Sequence, residues 1–135
     1  MNRAIIVSLA IALFCVAGCG AKTKSELIAD AKLHERYAVE KNYQEAYRGI
    51  ADKFVECSDS MAQYLQRNLY SELGEGELYL QGADSAGYLF LVEVKKISEG
   101  RAEVKAYSKV STGFYPSYMA MVRMGALGEP GCPKK

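Results

Sequence analysis

The sequence predicts an α+β domain: an antiparallel sheet of four to five strands with two helices packed on one face, in the order β-α-β-β-β-β-α. Three observations lead there. Segments 36–41, 88–97 and 101–110 alternate or run apolar as strands do, and turns containing glycine separate the later ones. Residues 43–57 instead repeat their apolar positions at helical spacing, as do residues 118–127. Strands grouped between two helices, rather than alternating with them, favour an antiparallel sheet with the helices segregated to one side.

The elements follow in order. Residues 26–33 suit a short helix with Leu27, Ile28 and Ala31 on one side. In 36–41, Tyr37 and Val39 point one way, and Arg36, Ala38 and Glu40 the other. Asn42 opens the first long helix, and with Glu45 three residues on it forms a close relative of the capping box. Tyr43, Ala46, Tyr47, Ile50, Phe54 and Cys57 make its buried stripe; Gln44, Glu45, Arg48, Asp52 and Glu56 make its wet side. Gly49 within it costs about 1 kcal/mol relative to alanine, which close packing against the sheet would explain. Residues 58–62 read as a loop. Residues 64–73 form a strand carrying Leu65, Leu69 and Leu73, Gly74-Glu75-Gly76 a hairpin turn, and 77–81 the return strand. After a looser turn at 82–87 comes the most apolar, central strand over 88–97. Ser98-Glu99-Gly100 turns the chain into 101–110. There Ala102, Val104, Ala106, Ser108 and Val110 face inward, and Arg101, Glu103, Lys105, Tyr107 and Lys109 face water. Pro116 suits a first helical turn. Tyr118, Met121, Val122 and Gly125 share the next helix face, and Gly128 is its stop signal. The order is similar in topology to helix-grip and TBP-like folds.

The N-terminus has its own logic. Arg3 supplies a positive charge, residues 4–14 are apolar except for Ser8, and Ala17 and Gly18 are the small residues a peptidase needs. The apolar run is about 15 residues, short of the roughly 20 that span a bilayer as a helix. Val16-Ala17-Gly18-Cys19 resembles the lipobox of bacterial lipoproteins: an aliphatic residue, a small one, Gly or Ala, then Cys. That resemblance covers residues 1–20. It implies removal of a signal peptide over 1–18 and a diacylglycerol thioether on Cys19. A lipidated N-terminus and tether over 19–33 would then precede a single domain over 34–135. Two or three acyl chains suffice for stable anchoring. Gly20, where enteric proteins retained at the inner membrane carry Asp, points to the outer membrane facing the periplasm. An uncleaved anchor and an ordinary secretion signal are the alternatives. The stretch RYAVEKNYQEAYRGIADKFVEC and the terminal Gly-Cys-Pro also resemble small proteobacterial lipoproteins, a likeness that carries no functional residue across.

Cysteine arithmetic follows from the lipobox. Of the four cysteines, Cys15 leaves with the signal and Cys19 takes the lipid, so Cys57 and Cys132 remain, in a compartment that permits disulfides. They are expected to pair; two free or ligand-binding thiols are the alternative. The mature chain of about 117 residues carries 16 basic and 16 acidic residues once Arg3 is removed. Such a balance argues against a nucleic-acid partner.

Catalytic signatures are scarce. His34 is the only histidine, and no Gly-x-Ser-x-Gly elbow accompanies it. Structural zinc needs about four Cys or His ligands, and the acidic residues lack calcium-loop spacing, so no metal is expected. No glycine-rich segment has phosphate-loop spacing. Glu72, Glu75 and Glu77 surround one hairpin, where paired carboxylates are usually only solvated. Tyr43, Tyr47, Tyr118 and Met121 on the two helices are core residues, an apolar pocket or a contact face; Met adapts to irregular partners. The expectation is therefore a non-enzymatic, lipid-anchored envelope protein that meets an envelope protein partner, with no cofactor beyond the lipid on Cys19. The alternative is a carrier of a small apolar ligand between helices and sheet.

Overall fold

Residues 21–82 and 87–134 are described by a computed structural model; Cys19 and the rest of the signal-like segment lie outside the described residues, as does most of the turn expected at 82–87. The strands are β1 (Leu33–Val39), β2 (Gln66–Tyr70), β3 (Glu75–Gln81), β4 (Tyr88–Ser98) and β5 (Arg101–Ser108). The helices are α1 (Lys24–Asp30), α2 (Tyr43–Cys57), α3 (Asp59–Ala62) and α4 (Tyr115–Leu127). The strands make one open antiparallel sheet in the order β1-β5-β4-β3-β2. The α+β class and the antiparallel sheet are as expected, with five strands.

β2 to β5 form a meander, and the α2 crossing lets β1 close the far side of the sheet on β5. The register defines two ends. Leu33, Ser108, Phe90, Leu80 and Gln66 mark the upper end; Val39, Ala102, Lys96, Glu75 and Tyr70 mark the lower. α2 rises from lower to upper, and α4 descends beside it.

Asn42 caps α2 by accepting from the Gln44 N–H at 2.8 Å, and its amide donates to the Glu99 carbonyl at 3.2 Å. The cap thus ties the helix start to the β4–β5 turn. Asn42→Ala is expected to lower stability by about 1 kcal/mol, readable as a shift in the urea midpoint with unchanged slope. α4 starts with Pro116 in its first turn and stops at Gly128, whose φ of 75° is the left-handed conformation glycine tolerates.

The main core lies between the sheet and the α2–α4 layer. At its upper end Phe54, Phe90 and Tyr118 meet with ring centroids 5.7 to 6.1 Å apart. Gly49 packs on Gly125 of α4, not on the sheet: a Cβ on either glycine would strike the other's backbone. Gly76 belongs to β3, not to a turn. A Cβ there would sit 2.6 Å from the Tyr47 ring, which lies over the strand. The turn itself is 71–74, closed by the Gly74 N–H donating to the Ser71 carbonyl.

A second layer was not foreseen. α1 crosses the other face of the sheet, where Leu27 is buried with Ala21, Leu91 and Tyr107. Tyr107, expected to face water, is covered by this helix. The segment 19–33, read as a tether, is in its described part a folded piece: Ala21 and Tyr88 exchange backbone hydrogen bonds, and Leu33 begins β1. α2 and α4 share the face expected for both helices, and residues 58–62, expected as a loop, include the one-turn helix α3, whose Met61 packs against the same core.

Candidate functional site

Cys57 and Cys132 are joined by a disulfide, with Cα atoms 5.5 Å apart, that pins the tail to the upper end of α2. Lys53 supports it. This buried lysine donates to the Gly131 carbonyl at 2.9 Å and to Glu56 at 2.7 Å. Lys53 escapes a sequence reading because a lysine beside the apolar stripe looks like wet surface; only the returning tail covers it.

Tyr43, Tyr47, Tyr118 and Met121 are all core residues, exposed by only 4% to 8%. They do not converge on one pocket. Antiparallel α2 and α4 place Tyr43 and Tyr47 near the lower end, where the Tyr43 hydroxyl reaches the Ser71 carbonyl and Tyr47 covers Gly76. Tyr118 and Met121 lie towards the upper end. They help to line a hollow of about 460 Å³ with Phe114, Ser58, Ser117 and the disulfide. Its volume falls within the range of small-molecule sites. It opens at the helix ends rather than between helices and sheet.

The hairpin glutamates divide. Glu72 is exposed in the turn, whereas Glu75 and Glu77 line a hollow of about 140 Å³ on the α1 side of the sheet, with Glu93, Glu103, Lys95 and Lys105. Cross-strand register assembles them. Glu77 stands opposite Glu93, Glu93 opposite Lys105, and Lys105 opposite Arg36; Glu75 stands opposite Lys95, and Lys95 opposite Glu103. Lys24 reaches Glu77, Lys95 reaches Glu75 at 3.1 Å, and Arg36 reaches Glu103 at 2.7 Å. Lys105 also pairs with Glu103, at 3.4 Å, so Glu75, Glu77 and Glu103 are ion-paired and Glu93 alone of the four is in no ion pair among the described residues. Arg36 and Lys105 hold the Glu103 carboxyl below the usual range.

Glu93 differs. Burial, with help from Glu77 and Glu75, pushes its carboxyl above the usual range against the pull of Lys105. The folded state then holds this proton more tightly than the unfolded chain. Ionisation costs stability as pH rises through the folded value, and the cost is absent below the ordinary carboxylate range. Glu93→Gln is expected to raise the urea midpoint at pH 7 and to leave it almost unchanged near pH 3. A lower midpoint at pH 7 would mean that the attraction to Lys105 outweighs burial.

His34 sits exposed on edge strand β1 and stacks on Tyr107, with centroids 4.8 Å apart and planes 7° from parallel. Arg123 of α4 pairs with Glu35 on the same strand. Near this pair the Tyr37 hydroxyl and the second Glu35 carboxylate oxygen are buried without a hydrogen-bond partner among the described residues. Burial, and then Glu35, push the Tyr37 hydroxyl well above the usual tyrosine range. Among the described residues no group of three or more His, Cys, Asp or Glu is disposed to hold a metal ion. No described helix is long and apolar enough to cross a membrane.

The site therefore defines a disulfide-tied α+β domain with a helix-end hollow and a charged face built largely of ion pairs. Neither a protein-family model nor a curated protein sequence matches the chain.

Proposed function

We propose that this chain is a lipid-anchored protein of the bacterial cell envelope, held through diacylglycerol on Cys19 at the outer membrane and facing the periplasm. It serves there as an interaction or structural module rather than an enzyme. The observation that carries the reading is the lipobox-like Val16-Ala17-Gly18-Cys19 lying immediately before a folded domain whose two remaining cysteines are disulfide-bonded. A disulfide suits an oxidising compartment. The charge pairing across the sheet suits a structural face, since Glu75, Glu77 and Glu103 each have a cation in place.

The test is intact mass and membrane fractionation of the native protein beside a Cys19→Ala variant. Loss of residues 1–18, a gain of acyl mass and release of the variant into the soluble fraction are expected. A full-length, unlipidated protein in both cases would overturn the reading.

The helix-end hollow favours a second reading, the binding of a small apolar ligand against Phe114, Tyr118 and Met121. An organic extract of the purified protein, analysed by mass spectrometry, would contain a stoichiometric lipid-like molecule on that reading and none on the first.

A further inference from the structure

We infer that the upper end of the domain is a bilayer-contacting surface in which the Phe114 ring seats at the boundary between lipid headgroups and acyl chains. This inference rests on the anchoring through Cys19 proposed above. Its first support is where the described chain begins. Ala21 is already part of the fold: its N–H donates to the Tyr88 carbonyl at 3.2 Å, and its carbonyl accepts from the Tyr88 N–H at 2.6 Å. Gly20 alone separates it from Cys19. Two residue steps reach at most about 7 Å, so a lipid on Cys19 holds this end of the sheet at the membrane rather than letting the domain swing on a long linker.

The second support is what the same end displays. Lys109 follows β5 and donates to the Leu89 carbonyl, one residue along β4 from the Tyr88 that holds Ala21. The chain then turns through 110–113 and presents Phe114 at the start of α4, 74% exposed. An aromatic ring left in water beside an acyl anchor suits the interfacial zone, where apolar side chains of membrane-surface proteins bury. The anchor makes its insertion intramolecular, so one ring is enough to orient the domain.

Exposed apolar side chains also occur at the lower end, with Leu73 at 69% the most open. About 20 Å of paired sheet separates the two ends. The chain's entry point chooses between them, because the short tether brings only the upper end to the bilayer. The charged hollow between Glu77 and Lys105 then stays clear of the lipid, lower on the sheet.

The sequence contains no tryptophan, so Phe114→Trp and Leu73→Trp each introduce a single indole at an exposed position. Each full-length variant is expressed in a host that processes lipoproteins. Each is then reconstituted into phosphatidylethanolamine–phosphatidylglycerol vesicles, with and without dibrominated acyl chains. The indole at 114 is expected to shift its emission to the blue and lose about half its intensity or more to the bromines, and the indole at 73 to stay unquenched. Equal quenching at both positions, or none at 114, in protein that carries acyl mass and floats with the vesicles would overturn the bilayer contact and leave the anchor intact. Protein without acyl mass that fails to float would overturn the anchor itself, and this inference with it.

Discussion

Removing the Cys57–Cys132 bond is expected to cost the domain about 2–4 kcal/mol. The bond closes a loop spanning 75 residues, which holds β2 to β5 and α4 and ties them to the end of α2. Chain entropy alone places a loop of that length near 4.5 kcal/mol, and measured values usually fall below it. The tail beyond Gly128 is neither helix nor strand, so its other described holds are single contacts such as that from Lys53 to the Gly131 carbonyl. A Cys57→Ser/Cys132→Ser protein should therefore keep its fold but melt roughly 10 °C lower. Its urea slope should rise, because the unfolded chain is released from its constraint. Wild type under reductant should match the double variant. A midpoint indifferent to reductant, or alkylation of two thiols in native protein, would overturn the assignment.

Gly125→Ala is expected to destabilise by about 2 kcal/mol, against the direction of helix propensity. In an open helix the change would help by about 1 kcal/mol. Here a Cβ at 125 meets the Gly49 carbonyl oxygen and the Ile50 Cα, each at 2.6 Å. Both are backbone atoms of α2, so no side chain can rotate away and the helices must separate. Overpacking of this kind typically costs 1–3 kcal/mol, and separating the helices also loosens the contacts of Phe54 with Tyr118 and Phe90. Gly49→Ala should behave alike. The double variant should cost less than the sum of the two, since one separation serves both methyl groups. Thermal unfolding of the three variants checks this, and a stabilised Gly125→Ala would show that the helices do not meet at these glycines.

Much of the domain was legible in its sequence because secondary structure writes itself as period. The alternation through Ala102, Val104 and Ala106 and the stripe through Tyr43, Ala46, Tyr47, Ile50 and Phe54 are local repeats, and each is buried where the repeat places it. Tyr107 shows the limit. Its position on the strand marks it as facing the other side of the sheet, which is correct, but that side is covered by α1, whose apolar side was legible at Leu27 while the surface it packs on was not. Gly49 was visible as an oddity, whereas Gly76 read as part of a turn and lies in β3. The partner of each, Gly125 and Tyr47, is set by how elements cross, and no local pattern encodes that.

The candidate site divides along the same line. The pairing of Cys57 with Cys132 needed only counting, given a lipid on Cys19. The placing of Glu75 and Glu77 against Glu93 and Lys105 needed strand order and register, which bring residues from three strands to one face. So did the separation of Tyr43 and Tyr47 from Tyr118 and Met121, because antiparallel helices send their N-terminal halves to opposite ends of the layer. What the sequence by itself determined is the kind and order of the five strands and the two long helices, the turn at Gly74 and the helix stop at Gly128, all governed by each residue's own backbone and its near neighbours. Only the tertiary structure decided which faces are covered, which glycines carry close contacts and which charges meet, because those depend on packing between segments distant in the chain.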